Sequence, residues 1–419
     1  MAKQIIFHDP IHKAIVIDTS KDEELMILEL IETHAFQRLR RIKQLGTASY
    51  VFHGAEASRF THSLGVFNVA RKIYKKLVEE NRDFEAYKFV LYAGALLHDL
   101  GHGPFSHISE EIFFHQHESW SRKLIKEYQP IKSILKKYGK DTADKISNLF
   151  TSKNIIANPL KTLISSEIDC DRLDYLLRDS YNTGTKYGLV DLERIISALT
   201  FAPDSSIAIK PKGVIAIEHF LVLRNMMYRT IYNHRINEIC SWILEKIISS
   251  IRNEDSKKIW VDKYLHKLIF TPQNLDHEDF LANDDITLSY HINVWKNEAS
   301  EPIANLCKMF LDRKLLKASD ISFLSNIDKL RLLAFTKQIC EENNFDSNLF
   351  CGLKEKNFKG FESNNSLKVW DGNLLSNLDN SSILIKALMK PQKSSLIIYP
   401  EKIRMQVNEK ILSFKERNQ

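Results

Sequence analysis

The apolar positions of this 419-residue chain recur mostly at three- and four-residue spacing, the signature of helices that bury one face. Over residues 25–45 the series Leu28, Ile31, Phe36, Leu39 and Ile42 predicts one helix with Gly46 as its stop. The same spacing predicts helices over 58–80, 84–100, 119–138, 142–150, 159–180, 191–199 and 217–251. Alternation of apolar and polar residues over 5–18, around the turn signal Asp9-Pro10, predicts a small hairpin serving as a lid or edge element. Residues 206–212 also alternate and are expected to pair with 213–217. Beyond that, 255–343 reads as helices, 344–382 as an Asn-, Ser- and Gly-rich loop, and 394–399 as a strand before Pro400 and a terminal helix. The expected fold is mainly α, a helical core over 1–255 with short β-hairpins and a smaller α+β region over 256–419.

Gly (13) and Pro (10) make about 5% of the chain, against roughly 12% in an average protein, so breakers are scarce. With 44% hydrophobic and 27% charged residues the chain reads as globular, not disordered or disulfide-built. A net charge of +6 over 59 basic and 53 acidic residues lacks the concentrated basic stripe of a nucleic-acid binder and leaves anionic small substrates open. The five cysteines are widely spaced without a CxxC, which suits buried, reduced thiols and a cytoplasmic protein. The opening apolar run is too short for a signal peptide, and none reaches the ~20 residues of a membrane span. Seven of the 15 histidines and six of the 13 glycines lie between Gly46 and His117, so imidazoles and tight turns are concentrated there.

Within that stretch runs His98-Asp99-Leu100-Gly101-His102-Gly103-Pro104-Phe105-Ser106-His107. It follows the apolar run 89–97, so His98 and Asp99 end a buried helix, where polar side chains are costly unless paired or bound to metal. Gly101, Gly103 and Pro104 break the helix, so the loop can return His102 and His107 to the same place. Two further ligand candidates are His62, in a helix where Gly65 permits close packing, and Asp171. At roughly 100° per residue, Asp171, Arg172, Tyr175 and Asp179 share one polar face of their helix.

This H...HD...D pattern resembles the signature of the HD-domain metal-dependent phosphohydrolases. The strings FQRLRRIKQLG, RFTHSLG, LLHDLGHGPFSH, HESWS, DCDRLDYLLRD and RNMMYRTIYNHR, in this order, resemble the deoxynucleoside triphosphate triphosphohydrolase branch over about residues 4–250. The resemblance implies an HD-domain helical core in which His62, His98, Asp99 and Asp171 bind one divalent or transition metal ion, Mn, Fe, Ni, Zn or Mg, with a further Mg arriving on the triphosphate. Such an ion lowers the pKa of bound water and polarises a phosphoryl oxygen. His102, His107, Glu110 and His117 match positions around the α-phosphate, one protonating the leaving oxygen and another orienting water, while Glu118 fixes a neighbour's tautomer. Arg59, Arg172 and Arg224 match phosphate contacts, and Tyr232 a residue packed on the nucleoside. Gln44 and Leu45 match residues that crowd the sugar, and Tyr175 and Asp179 those that bind its 3′-hydroxyl. Also implied is a homo-oligomer, dimer or tetramer, with a second, activating nucleotide between subunits. Val51, Phe52, Asp191, Arg194, Lys210, Lys212, His234 and Arg235 match that site, and Glu32, Gln37 and Arg40 a guanine-reading pocket beside it. Ile5, Ala14 and Thr230 stand where the family places polar or basic groups.

Blander roles compete at several positions. His8, His12, His34 and His53 read as surface or hairpin residues, His115 competes with His117 for the site, Arg224 and Tyr232 also suit helix packing, and Lys257-Lys258 reads as a solvated face. Three functions follow for comparison: hydrolysis of dNTPs to deoxynucleoside and inorganic triphosphate, hydrolysis of another nucleotide or phosphate ester, and a nucleotide- or ssDNA-binding regulator with a structural metal. Intact His102, His107 and Glu110 speak against the last. Residues 256–419 carry no motif that converts to chemistry and are expected to serve oligomerisation or regulation.

Overall fold

Two helices, Arg59–Glu80 and Lys88–Leu97, pack side by side at the centre of the computed structural model, which describes residues 3–151, 159–254, 259–361 and 368–417. Ser58 caps the first, its hydroxyl accepting the Thr61 N–H. The second is apolar all round and buried from Val90 onward, as a helix without a polar face must be. Phe67, Leu91 and Leu96, all fully buried here, each contribute about 1.5–3 kcal/mol of transfer free energy. The helix Cys170–Thr183 lies against Arg59–Glu80 at Gly65. Around this mainly helical core stand, among the described residues, three small sheets, and all five cysteines are buried and free. No helix among the described residues is long and apolar enough to cross a membrane.

The expected hairpin forms, Gln4–Asp9 antiparallel to Lys13–Asp18 with Ile5 opposite Ile17. Its turn is tied to the core. Asp9 accepts the N–H groups of Ile11 and His12, and His12, a hairpin residue as expected, turns its imidazole inward to Asp174 and away from solvent.

Several long helices break where tertiary partners draw the chain away. The 25–45 stretch divides into Asp22–Ile31, His34–Arg38 and a 3-10 turn Leu39–Arg41, because Thr33 caps a new helix. Ile42 is extended, and its carbonyl accepts the Arg59 N–H while the Gln44 N–H reaches Ala57. The 119–138 helix divides into His117–Glu127 and Gln129–Lys137, Pro130 lying in the first turn of the second. The 159–180 helix becomes Pro159–Ile164 and Cys170–Thr183, restarted by an Asp169 cap, and 217–251 becomes Val214–Met227, a π-helical turn Tyr228–Tyr232, and Arg235–Asn253. Ile207–Ile209 pairs with Leu199–Phe201 instead of with 213–217, which opens a helix.

The 344–382 loop is in fact punctuated by the helix Ser347–Phe350 and strands Gly352–Phe358, Lys368–Trp370 and Leu375–Asn377. Gly352–Phe358 pairs with Gln392–Tyr399, and Lys368–Trp370 pairs both with its neighbour Leu375–Asn377 and with the distant Ile207–Ile209. A strand Lys317–Asp320 likewise interrupts the expected helices and pairs with Gln392–Tyr399. Lys257-Lys258 lies outside the described residues. Apolar clusters interleave distant parts of the chain. Phe361, Val369 and Leu388 join the central cluster, whereas Phe105, Ile112 and Phe113 pack with the Arg235–Asn253, Asp285–Glu298 and Glu301–Leu311 helices.

Candidate metal centre and adjoining cavity

His62 sits one turn into Arg59–Glu80, and His98 immediately follows Lys88–Leu97. His98 Nδ1 donates to the Ala95 carbonyl at 2.8 Å, and His62 Nδ1 faces Asp174 Oδ2 at 2.8 Å. Each ring is thereby fixed with Nε2 toward a common point, the two atoms 3.3 Å apart. Asp171 Oδ1 lies 2.9 Å from His62 Nε2 and 3.6 Å from His98 Nε2, and the Asp99 carboxylate stands 3.3 Å from His98 Nε2 and 3.6 Å from His62 Nε2. Two imidazole nitrogens at that spacing suit one ion with metal–nitrogen bonds of about 2.1 Å. The electrostatics also call for a cation. Burial alone would push the His62 imidazole down, but Asp171, Asp174 and Asp99 outweigh it and hold it up at about 10. Burial raises Asp99, yet Arg59, His98 and His102 keep it well below the carboxylate range. The His/Asp groups are positioned for a divalent metal, whose mixed nitrogen and oxygen donors do not single out one element.

Asp174 escaped the sequence reading although it lies in the DCDRLDYLLRD string. It is fully buried and accepts from His12 Nε2 (2.6 Å) and from Arg178 Nε (2.7 Å) and Nη2 (2.9 Å), besides facing His62. Arg178 reaches on to Asp9 at 2.7 Å. The detectable signal was the i,i+4 Asp–Arg pair on an otherwise buried helix face. Gly65 makes room for it, since a Cβ there would collide with the Asp174 carboxylate and the Arg178 guanidinium. Gly65→Ala is therefore expected to lower stability by about 1–3 kcal/mol and to reduce bound metal, read from urea melts and metal analysis.

Beside the centre, His102, His107, Glu110 and His117 converge. The His102 and His117 rings stack with centroids 4.0 Å apart, and His107 meets His102 edge-on at 4.7 Å. Glu110 faces His107 Nδ1 at 2.7 Å and His117 Nδ1 at 3.1 Å, and these imidazoles hold its carboxyl far below its usual range despite burial. Burial, reinforced by Arg59 and His117, keeps His102 well below the usual imidazole range, so it is neutral at pH 7. His115 is half-buried outside this cluster, edge-on to Phe280, and desolvation lowers it to about 4, whereas His117 lines the cavity.

That cavity, about 370 Å³, runs from His98, Asp99 and Asp171 past His102, His107, His117 and Glu118 to Gln44, Leu45, Tyr175, Asp179, Tyr228 and Tyr232. Tyr232 donates to Asp179 Oδ2 at 3.0 Å, and burial raises the Asp179 carboxyl to about 7. Arg59 and Arg172 also line it. Each arginine expected to meet phosphate is bound to a carboxylate: Arg59 to Asp99 (2.5 Å), Arg172 to Asp169 (2.5 Å) and Arg224 to Glu167. Arg224 is buried behind the wall, against Tyr228.

The residues expected at a second nucleotide site fall into groups. Asp191 caps Leu192–Ala198, and Arg194 donates to the Lys212 carbonyl, while Lys210 pairs with Glu80. Phe52, next to half-buried Val51, meets the His234 ring edge-on at 5.9 Å, and Arg235 opens the following helix. Glu32 is exposed, and Arg40 donates to Gln37 and covers the Phe60 ring.

Residues 59–179 match the HD domain and residues 190–414 the HD associated region. Uncharacterized protein YwfO of Bacillus subtilis is 35% identical over 323 residues, 76% of this chain and 72% of its own. A deoxynucleoside triphosphate triphosphohydrolase SAMHD1 homolog of Dictyostelium discoideum is 29% identical over 73% of this chain and 59% of its own length. The crystal structure of a phosphohydrolase from Bacteroides thetaiotaomicron superposes with a TM-score of 0.83 at 26% identity, covering 95% of this chain and all of that one.

Proposed function

Because the chain belongs to the HD-domain phosphohydrolases that carry an HD associated region, we propose that it hydrolyses deoxynucleoside triphosphates to deoxynucleoside and inorganic triphosphate. The observation that carries this reading is the single cavity joining the His/Asp centre to an end lined by Gln44, Leu45, Tyr175, Asp179 and Tyr232. His62, His98, Asp99 and Asp171 would hold a divalent ion, which would supply Lewis acidity and lower the pKa of a bound water.

The protein's own groups do the rest. Glu110 engages Nδ1 of both His107 and His117, leaving their Nε2 edges to hold a proton for the departing 5′-oxygen. Neutral His102, lodged against Asp99 at 3.2 Å, orients water. Asp179 accepts the 3′-hydroxyl, and the Tyr175 and Tyr232 rings, with centroids 5.9 Å apart, pack on the nucleoside. Arg59 and Arg172 face the phosphates from the cavity wall.

Purified protein treated with chelator, then reloaded metal by metal and given each dNTP, tests the reading. Release of triphosphate supports it, and release of pyrophosphate or orthophosphate sinks it. Gln44→Ala is expected to shrink the preference for dNTP over NTP by about tenfold while sparing metal content, because the Gln44 side chain no longer crowds the 2′ position. Activation by a second nucleotide belongs to the same reading, and a rate on one dNTP unchanged by another would remove it.

A second reading, hydrolysis of a different phosphate ester, draws support from the carboxylate partners of Arg59, Arg172 and Arg224, which leave little uncommitted positive charge for a triphosphate. Turnover of bis-p-nitrophenyl phosphate without turnover of any dNTP would select it.

A further inference from the structure

Two buried charged groups outside the metal centre each hydrogen-bond the backbone of the catalytic elements. Asp285 opens the helix Asp285–Glu298 in the HD associated region, far from the motifs in sequence. Its Oδ1 accepts the Phe105 N–H at 2.7 Å and its Oδ2 the Lys43 N–H at 2.9 Å. Phe105 lies between His102 and His107, and Lys43 precedes Gln44 and Leu45, so one carboxylate spans two walls of the cavity. Arg38, fully buried, donates through Nη1 to the His102 carbonyl at 2.8 Å and through Nε and Nη2 to the Asn283 carbonyl at 2.9 and 2.5 Å. Between them, Asp284 caps the helix and binds Arg41 Nε at 2.5 Å.

We propose that the Asn283–Asp285 segment is a strut from the HD associated region that sets the catalytic loop against the sugar-facing wall, with Asp285 and Arg38 as positioning residues. The loop needs such support, because Phe105 and Ser106 hold φ of 58° and 60°, a region that non-glycine residues sparsely populate and keep only when their surroundings over-determine them. Asp285 grips Phe105, and Ser106 donates to the Lys43 carbonyl at 2.5 Å, so both strained residues are tied to the segment the strut also holds. The base of the strut reaches a third catalytic element. Phe280 stacks on Trp120 with centroids 4.0 Å apart, and Trp120 belongs to the helix that begins at His117. The Arg38 guanidinium lies over the same Phe280 ring.

The kinetic arm of the test rests on the hydrolytic reading of the site, whereas the exchange arm does not. Asp285→Ala and Asp285→Asn are compared with the wild-type chain by amide hydrogen exchange, metal content and steady-state kinetics on the preferred dNTP, or on bis-p-nitrophenyl phosphate if no dNTP turns over. In Asp285→Ala, exchange at segments containing Lys43 and Phe105 is expected to accelerate at least tenfold while the Asn326–Glu342 helix keeps its protection. The kcat is expected to fall about a hundredfold, the scale of an ångström-sized misplacement, with KM within threefold and metal content unchanged. Asp285→Asn, which retains one acceptor, is expected to fall between the two. Unchanged exchange at both segments overturns the strut even if the wild type hydrolyses no dNTP. Local deprotection with wild-type kcat overturns its positioning role. Where Asp285→Ala loses protection everywhere, the folded Asp285→Asn decides, and a kcat equal to wild type in that variant also overturns the proposal.

Discussion

Asp171→Ala is expected to strip the protein of metal and of turnover together. Asp171 reaches both Nε2 atoms of the centre, and its side chain is 32% exposed in the first turn of its helix, so its removal opens no cavity in the core. What it removes is one of the two carboxylates that face the His62 and His98 Nε2 atoms, leaving two imidazoles and Asp99 with one negative charge and one donor fewer for a divalent ion. Loss of an orienting group beyond the ligands already costs roughly 10–100-fold in metal affinity, so loss of a ligand is expected to exceed about a hundredfold. Without the ion, the several kcal/mol of transition-state stabilisation it supplies disappear, a fall in kcat of about a thousandfold or more. Metal-to-protein ratio after dialysis and kcat at saturating metal check both halves. A variant that keeps a full complement of metal and wild-type turnover would take Asp171 out of the ligand set.

That His98, Asp99 and Asp171 stand out in the sequence as candidates, and lie together in the fold, reflects local constraints. A polar pair ending an apolar helix, and a polar face on a helix of leucines, are visible within a dozen residues. The helix boundaries were less legible, because their causes are not local. Nothing in the 25–45 spacing tells that Ile42 and Gln44 will leave the helix to pair with residues 57–59, yet that excursion puts Gln44 in the cavity. His12 looked like a turn residue since its partner Asp174 is 162 positions away. The arginines are recognisable as cations, but the partners of Arg59 and Arg224, Asp99 and Glu167, depend on how distant elements meet, whereas the Arg172–Asp169 pair is local, three residues apart at one helix start. Within 344–382, Gly352–Phe358 depends on a distant edge, Gln392–Tyr399, whereas Lys368–Trp370 and Leu375–Asn377 pair locally but are only three residues each, in polar, turn-rich text. The associated region contributes through the Asp285 carboxylate, which accepts the Phe105 and Lys43 N–H groups, and through the Asn283 carbonyl, which accepts from Arg38, and contacts with a backbone partner leave no residue pattern to find.

Replacing Asp174 tests whether the residues behind the centre act on it or merely fill space. Asp174 gathers His12, His62 and Arg178 onto one fully buried carboxylate. Alanine leaves Arg178 with Asp9 alone and leaves both imidazoles without that acceptor, and breaking a buried charge pair from one side typically costs about 3–5 kcal/mol. Asp174→Ala is thus expected to unfold at markedly lower urea concentration. Asparagine keeps the shape and can still accept from His62 Nδ1, but it loses the charge that makes His62 a stronger ligand and turns an amide N–H₂ toward Arg178 or His12. Asp174→Asn is therefore expected to retain its fold and to bind metal roughly 10–100-fold more weakly, with kcat at saturating metal reduced less than in Asp171→Ala. If Asp174→Asn bound metal as tightly as the wild type while Asp174→Ala lost only stability, the carboxylate would be packing material for the hairpin and helix. The orientation of His62 would then have to come from the Arg59–Glu80 helix alone.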